Sequence, residues 1–144
     1  MSIEENKATL KHIYDEAWNK GNMSLLPELV SPDFVGQAGG KEYRGSDGYR
    51  ELIDLLRVPF PDLHFTIDRV VAEGDQIAFV KSGKGTHKGK LMNAEPTGKE
   101  VSWKQAIFWQ LKDGKVVESM SISDSLSLLR QIGIAPPGYA LAKK

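Results

Sequence analysis

The sequence predicts an α+β fold, in which three to four helices pack against a curved, cone-shaped antiparallel β-sheet. Three observations carry this. Apolar residues recur at helical spacing through the first third, Pro59 and Pro61 close that region, and short strand-like runs joined by hairpin turns follow it.

From Asn6 to Trp18 the apolar residues Leu10, Ile13, Tyr14, Ala17 and Trp18 form one stripe, the mark of a helix that packs on something. Gly21 stops it. Ser24 to Val30 reads as a short second helix, and Ser31-Pro32-Asp33-Phe34-Val35 as a brief strand. Gly36 to Gly45 is a glycine-rich tip. Ser46 is then placed to cap a third helix carrying Tyr49, Leu52, Ile53, Leu55 and Leu56. The sheet follows, with runs at Phe65 to Ile67, Ile77 to Val80, Val101 to Leu111 and Val116 to Ile122. Breaks at Glu73-Gly74-Asp75 and at Lys112-Asp113-Gly114-Lys115 are short enough to favour antiparallel hairpins. Between Gly83 and Lys99 lies a longer connection with the Pro96-Thr97-Gly98 turn. Ser123-Asp124 caps a last helix carrying Leu126, Leu128, Leu129 and Ile132, which Gly133 and Pro136-Pro137 stop.

A length of 144 residues suits a single domain with its own core, read here as residues 6–133 with a tail at 134–144 ending in Lys143-Lys144. Basic and acidic residues balance at 19 each, so no net field draws the chain to nucleic acid or to an acidic membrane. No stretch approaches the roughly 18 apolar residues of a membrane span, and the polar start MSIEENKATL lacks a signal-peptide core. A cytoplasmic location is the default expectation. Without cysteine, a disulfide framework, a cysteine zinc site and a cysteine nucleophile are excluded. His12, His64 and His87 are too scattered for a metal site.

If side chains do not fill the space between sheet and helices, an apolar pocket with a few polar groups remains. Ser119, Ser121 and Ser123 alternate on the last strand and so face one side, either toward such a pocket or toward a partly solvated surface. Trp103, Gln105, Ile107 and Trp109 share parity on the longest strand. That mixture suits a pocket wall, and equally a core with one satisfied amide or a dimer contact. Tyr14 and Trp18, four residues apart, are pocket or core on the same reasoning.

Taken in order, Tyr14 to Asn22, Ser31 to Val35, Phe60-Pro61-Asp62-Leu63, Gly85-Thr86-His87 with Gly89, Pro96-Thr97-Gly98-Lys99, and Asp113 to Gly133 resemble the SnoaL-like polyketide cyclases and ester cyclases of the nuclear transport factor 2-like superfamily. The resemblance spans almost the whole chain. It implies a cone of strands with three or four helices, a deep pocket, a homodimer, and an intramolecular aldol closure that uses no metal or cofactor. It also implies that the first helix forms a pocket wall. In the family a His-Trp-Asp-like segment after the Asp-Gly-Lys turn supplies the acid and base. Here Ser119-Met120-Ser121 stands there, and Gln37 stands where a family histidine follows Asp-Phe-Val.

An aldol closure needs one group to take a carbon-bound proton and another to protonate the oxyanion. Serines and amides serve only the second. The ionisable candidates are therefore His64, His87 and Asp124, in that order, each with a plainer reading: solvated or structural histidines, and a helix N-cap. The sequence thus predicts a mostly apolar pocket for a small carbonyl- or ester-bearing molecule, lined by Tyr14, Trp18, Gln37, Trp103, Gln105, Ile107, Ser119 and Ser121. Cofactor-free cyclase, isomerase or lyase chemistry requires a further ionisable side chain there. The alternatives are a non-catalytic ligand-binding module or a dimeric interaction protein.

Overall fold

A computed structural model describes residues 2–134. The tail read at 134–144 falls outside them from residue 135 onward.

The first helix, α1 (Ile3–Ile13), is entered through a capping box: the Ser2 hydroxyl accepts from the Glu5 N–H while the Glu5 carboxylate accepts from the Ser2 N–H. It continues as a π-turn, Tyr14–Trp18, closed by the Asn19 N–H on the Tyr14 carbonyl. The wider turn brings Tyr14 and Trp18 into a stack, with centroids 5.5 Å apart and planes 13° from parallel. The short helix α2 (Leu26–Leu29) leads into β1 (Val30–Ala38), β2 (Lys41–Arg44) and α3 (Gly45–Arg57). The long strands β3 (His64–Glu73), β4 (Gln76–Thr86), β5 (Glu100–Lys112) and β6 (Lys115–Ser123) follow, and α4 (Ser125–Gln131) is the last of the described elements.

The six strands form one sheet in the order β2-β1-β6-β5-β4-β3. All neighbours are antiparallel, as the sequence predicts, except β1 and β6, which run parallel, so the sheet is mixed but mostly antiparallel. The reason is topological. Strand β1 is separated from β6 by most of the chain, and no hairpin fixes their direction. The glycine-rich tip is itself a hairpin: Gly39 and Gly40, both at positive φ, turn β1 into β2 between Ala38 and Lys41. Ser46 is not the cap of α3; Arg44 occupies that position, and no side chain bonds the helix start. Asp124 does cap α4, accepting from the Ser127 N–H at 3.2 Å.

Register defines the inner face. Ile77, Trp109 and Ser119 lie side by side across β4, β5 and β6, then Phe79, Ile107 and Ser121, then Lys81, Gln105 and Ser123. Helices α1 and α3 cover this face, and Ile13, Tyr14, Trp18, Tyr49, Leu52 and Ile53 join the sheet in one hydrophobic cluster. Aromatic edge-to-face contacts bind the layers: Tyr14 and Trp109 each meet Phe79, and Trp18 and Trp103 each meet Phe65. The outer face is a different surface, with Val71, Met120 and Ile122 exposed.

Candidate functional site

The layers do not fill the cone. A cavity of about 740 Å³ remains between the inner sheet face, α3, α4 and the 87–99 loop, within the range that holds a drug-sized ligand. Its deep wall is aromatic, with Tyr14, Trp18, Tyr49 and Trp109. Leu91 and Met92 of the loop and Leu128 and Leu129 of α4 also line the cavity.

Of the residues singled out from the sequence, Tyr14, Trp18, Gln105, Ile107, Ser119 and Ser121 line this cavity. Ser123 extends the hydroxyl row along β6, so three serines at every second position face the space together. Gln105 is held from behind by the Trp103 indole, whose Nε1–H donates to its Oε1 at 3.3 Å. The carbonyl oxygen is thereby occupied, and the amide N–H₂ is left to face a ligand.

Other predicted positions lie elsewhere. Gln37 is exposed on β1, paired in register with Met120 on the outer face, because its parity is opposite to that of Phe34 and Gly36. Trp103 is buried one row beyond Gln105 and packs on Phe60 and Phe65, outside the cavity lining. His64 is exposed at the start of β3, opposite Lys84. His87 is fully buried beneath the loop, where its Nδ1 meets the Thr97 hydroxyl and N–H and its ring lies against Phe60. Asp124 is occupied as the α4 cap. None of the three acid-base candidates lines the cavity.

The cavity nevertheless holds an ionisable group that the sequence reading passed over. Lys81, only 1% exposed, projects from β4 into the aromatic wall. Its Nζ donates to the Tyr14 hydroxyl at 2.6 Å and lies 3.9 Å from the Phe65 ring centroid, 4.3 Å from Trp18 and 4.6 Å from Tyr14. Among the described residues it has no carboxylate within ion-pair distance. Two effects oppose each other here. Three ring faces stabilise a cation by about 0.5–2 kcal/mol each, whereas removing an unpaired ammonium from water costs several kcal/mol. Desolvation wins, and burial holds the Lys81 amine well below the ordinary lysine range.

The phenols respond in the same sense. Burial pushes both Tyr14 and Tyr49 well above the usual tyrosine value, so each keeps its proton. The Trp18 indole N–H donates to the Tyr49 oxygen at 3.0 Å. The Tyr49 hydroxyl also engages that of Tyr14, and it keeps its own O–H. An amine, two phenols and a row of hydroxyls thus share one apolar chamber. Among the described residues, no group of three or more His, Asp or Glu side chains is placed to hold a metal ion, and no helix is long and apolar enough to cross a membrane.

The signal for Lys81 was present. It continues the alternation Ile77, Phe79, Lys81, Gly83, which puts a lysine on the apolar side of a strand. Ending that strand at Val80 hid it; β4 runs on to Thr86.

The family model of SnoaL-like polyketide cyclases matches residues 8–132. Nogalonic acid methyl ester cyclase of Streptomyces nogalater is 24% identical over 120 residues, covering 81% of this chain and 90% of its own. AclR of Streptomyces galilaeus, provisionally assigned as a hydroxylase, superposes with a TM-score of 0.82 at 32% identity, over 94% of this chain and all of the other (100%). IdmH of Streptomyces antibioticus, provisionally assigned as a polyketide cyclase, gives 0.77 at 29% identity over 90% and 99% of the two chains.

Proposed function

The chain belongs to the SnoaL-like polyketide cyclase family, and from that premise we propose that it catalyses cofactor-free proton-transfer chemistry, of cyclase or isomerase type, on a mostly apolar carbonyl- or ester-bearing molecule. One observation carries this reading: a lysine in the cavity wall, bonded to a phenol and with no counter-ion among the described residues. Membership alone leaves the reaction open, since one similar structure is assigned as a hydroxylase and others as cyclases.

The uncharged Lys81 amine is the base. Its N–H engages the Tyr14 oxygen, which leaves the nitrogen lone pair for a carbon-bound proton beside a carbonyl. The ammonium formed keeps the Tyr14 bond and the three ring faces, so the transferred proton is held without a carboxylate. The Tyr49 O–H, the Gln105 amide and the Ser119 and Ser121 hydroxyls are donors for the resulting enolate oxygen. Ser119 and Ser121 stand where the family resemblance places a histidine and an aspartate, so the proton-transfer role has moved from β6 to β4.

That substitution also supports a second reading, binding without turnover. The test is deuterium exchange at the α-carbon of a simple apolar ketone, benzylacetone, in deuterium oxide. Exchange faster with the wild-type protein than with Lys81→Met, and growing as pH rises, supports catalysis. Equal exchange with both proteins leaves only the binding reading.

A homodimer belongs to the same proposal. Val71 on β3 and Met120 and Ile122 on β6 leave an apolar patch on the outer sheet face, 49–68% exposed, with β4 and β5 between them.

A further inference from the structure

We propose that Lys81 is also a carbonyl-trapping nucleophile, which condenses with an uncharged ketone or aldehyde in the cavity to form a Schiff base. This rests on the same uncharged amine as the proton-transfer reading, yet the two fail separately.

Three features of the site carry it. The amine projects from the middle of a strand into a chamber large enough for a ligand, so a carbonyl carbon has space to approach. Among the described residues its single hydrogen-bond partner is a phenol rather than a carboxylate, so no ion pair there has to break before the nitrogen reacts. Its surroundings are apolar rings, which disfavour the ammonium and exclude the water that would hydrolyse an imine. Lys11, Lys20 and Lys104 differ in each respect: they are exposed and paired with Asp15, Glu16 and Asp68.

The step balances without an oxidant or a reductant. The Nζ lone pair forms a bond to the carbonyl carbon as the π pair moves to oxygen. Nζ then loses its two protons, which leave with that oxygen as water. Tyr14, at 2.6 Å, is placed to relay a proton between nitrogen and oxygen, and the Tyr49 O–H and Gln105 amide are donors for the oxygen before it departs. The products are one imine and one water. The ligand class is narrowed accordingly: a ketone or aldehyde with an apolar body, since an ester carbonyl does not give an imine.

The experiment uses acetylacetone, whose condensation with an amine gives a stable enaminone with near-ultraviolet absorption. The folded protein is incubated near neutral pH, digested and mapped by mass spectrometry. The expected result is a single adduct, one diketone less one water, on the peptide carrying Lys81, absent from Lys81→Arg and Lys81→Met. Thermal melts confirm that each variant is folded, and mapping on the wild-type chain needs no variant. No adduct on the folded protein, or modification of Lys81 no greater than that of surface lysines, overturns the proposal. Ketone exchange without an adduct removes the nucleophile and keeps the base. An adduct without exchange keeps the nucleophile and removes the base.

Discussion

Replacing Lys81 by methionine should stabilise the fold, by an amount that depends on pH. The unfolded lysine binds its proton up to about pH 10.4, whereas the folded amine releases it well below that value. In the window between the two, the unfolded chain carries the extra proton, so wild-type stability rises with pH by about 1.4 kcal/mol per unit. Below the folded value the slope vanishes and the full penalty remains. Methionine fills a similar volume with no charge to desolvate. It loses the bond to Tyr14, worth about 1 kcal/mol; the attraction of the three rings belongs to the ammonium and is not lost from an uncharged amine. The net gain near neutral pH is about 2–4 kcal/mol, comparable with replacing other buried charges by apolar groups, and it should shrink toward zero near pH 10. Urea unfolding of both proteins between about pH 7 and 10 measures it. At the upper edge a second effect enters. Tyr14 and Tyr49 ionise at about 10 in the unfolded chain and higher when folded, so both proteins lose stability together as pH rises further. The difference between the two proteins isolates Lys81. A variant less stable than wild type near neutral pH, or a stability gap that does not change with pH, would refute the reasoning.

Trp18→Phe keeps the ring but deletes the N–H that occupies Tyr49; it should lower turnover about tenfold, the value of one hydrogen bond of about 1–1.5 kcal/mol, with a smaller change in KM. Gly83→Ala should destabilise by about 1–3 kcal/mol in urea unfolding, because a Cβ there would stand 2.6 Å from Phe65 and 2.9 Å from Trp103, two packed rings that cannot swing aside. Ile122→Glu places a charge on the exposed outer face, and sedimentation should show a dimer becoming a monomer with the fold intact; a wild-type monomer at high concentration would discard the dimer.

The sequence made the architecture legible because its signals are local. Helical spacing through Trp18, the Asp113-Gly114 turn with both residues at positive φ, and the Asp124 cap each act within a few residues. The parallel β1–β6 pairing and the four-residue β2 were not legible, since one depends on contacts across most of the chain and the other has too few residues to show alternation. At the site, parity grouped Gln105 and Ile107, and Ser119 and Ser121, correctly on cavity-facing rows. Trp103 lies outside the cavity because membership of a strand does not say which rows are covered by helices, and Gln37, placed by the family resemblance, has the parity of the outer face. Lys81 was missed for a chemical reason: a lysine on a strand is usually solvated, and only the rings of Tyr14, Trp18 and Phe65, brought together from two elements, make it otherwise.

The protonation of Lys81 can be observed directly. Titration of lysine side-chain NMR signals, with Lys81 assigned by its loss in Lys81→Met, should show one lysine uncharged at pH values where all the exposed lysines are still ammonium, and no such signal in the variant. Lys81 titrating together with the surface lysines would mean a charged side chain in the cavity, and neither a base nor a nucleophile there.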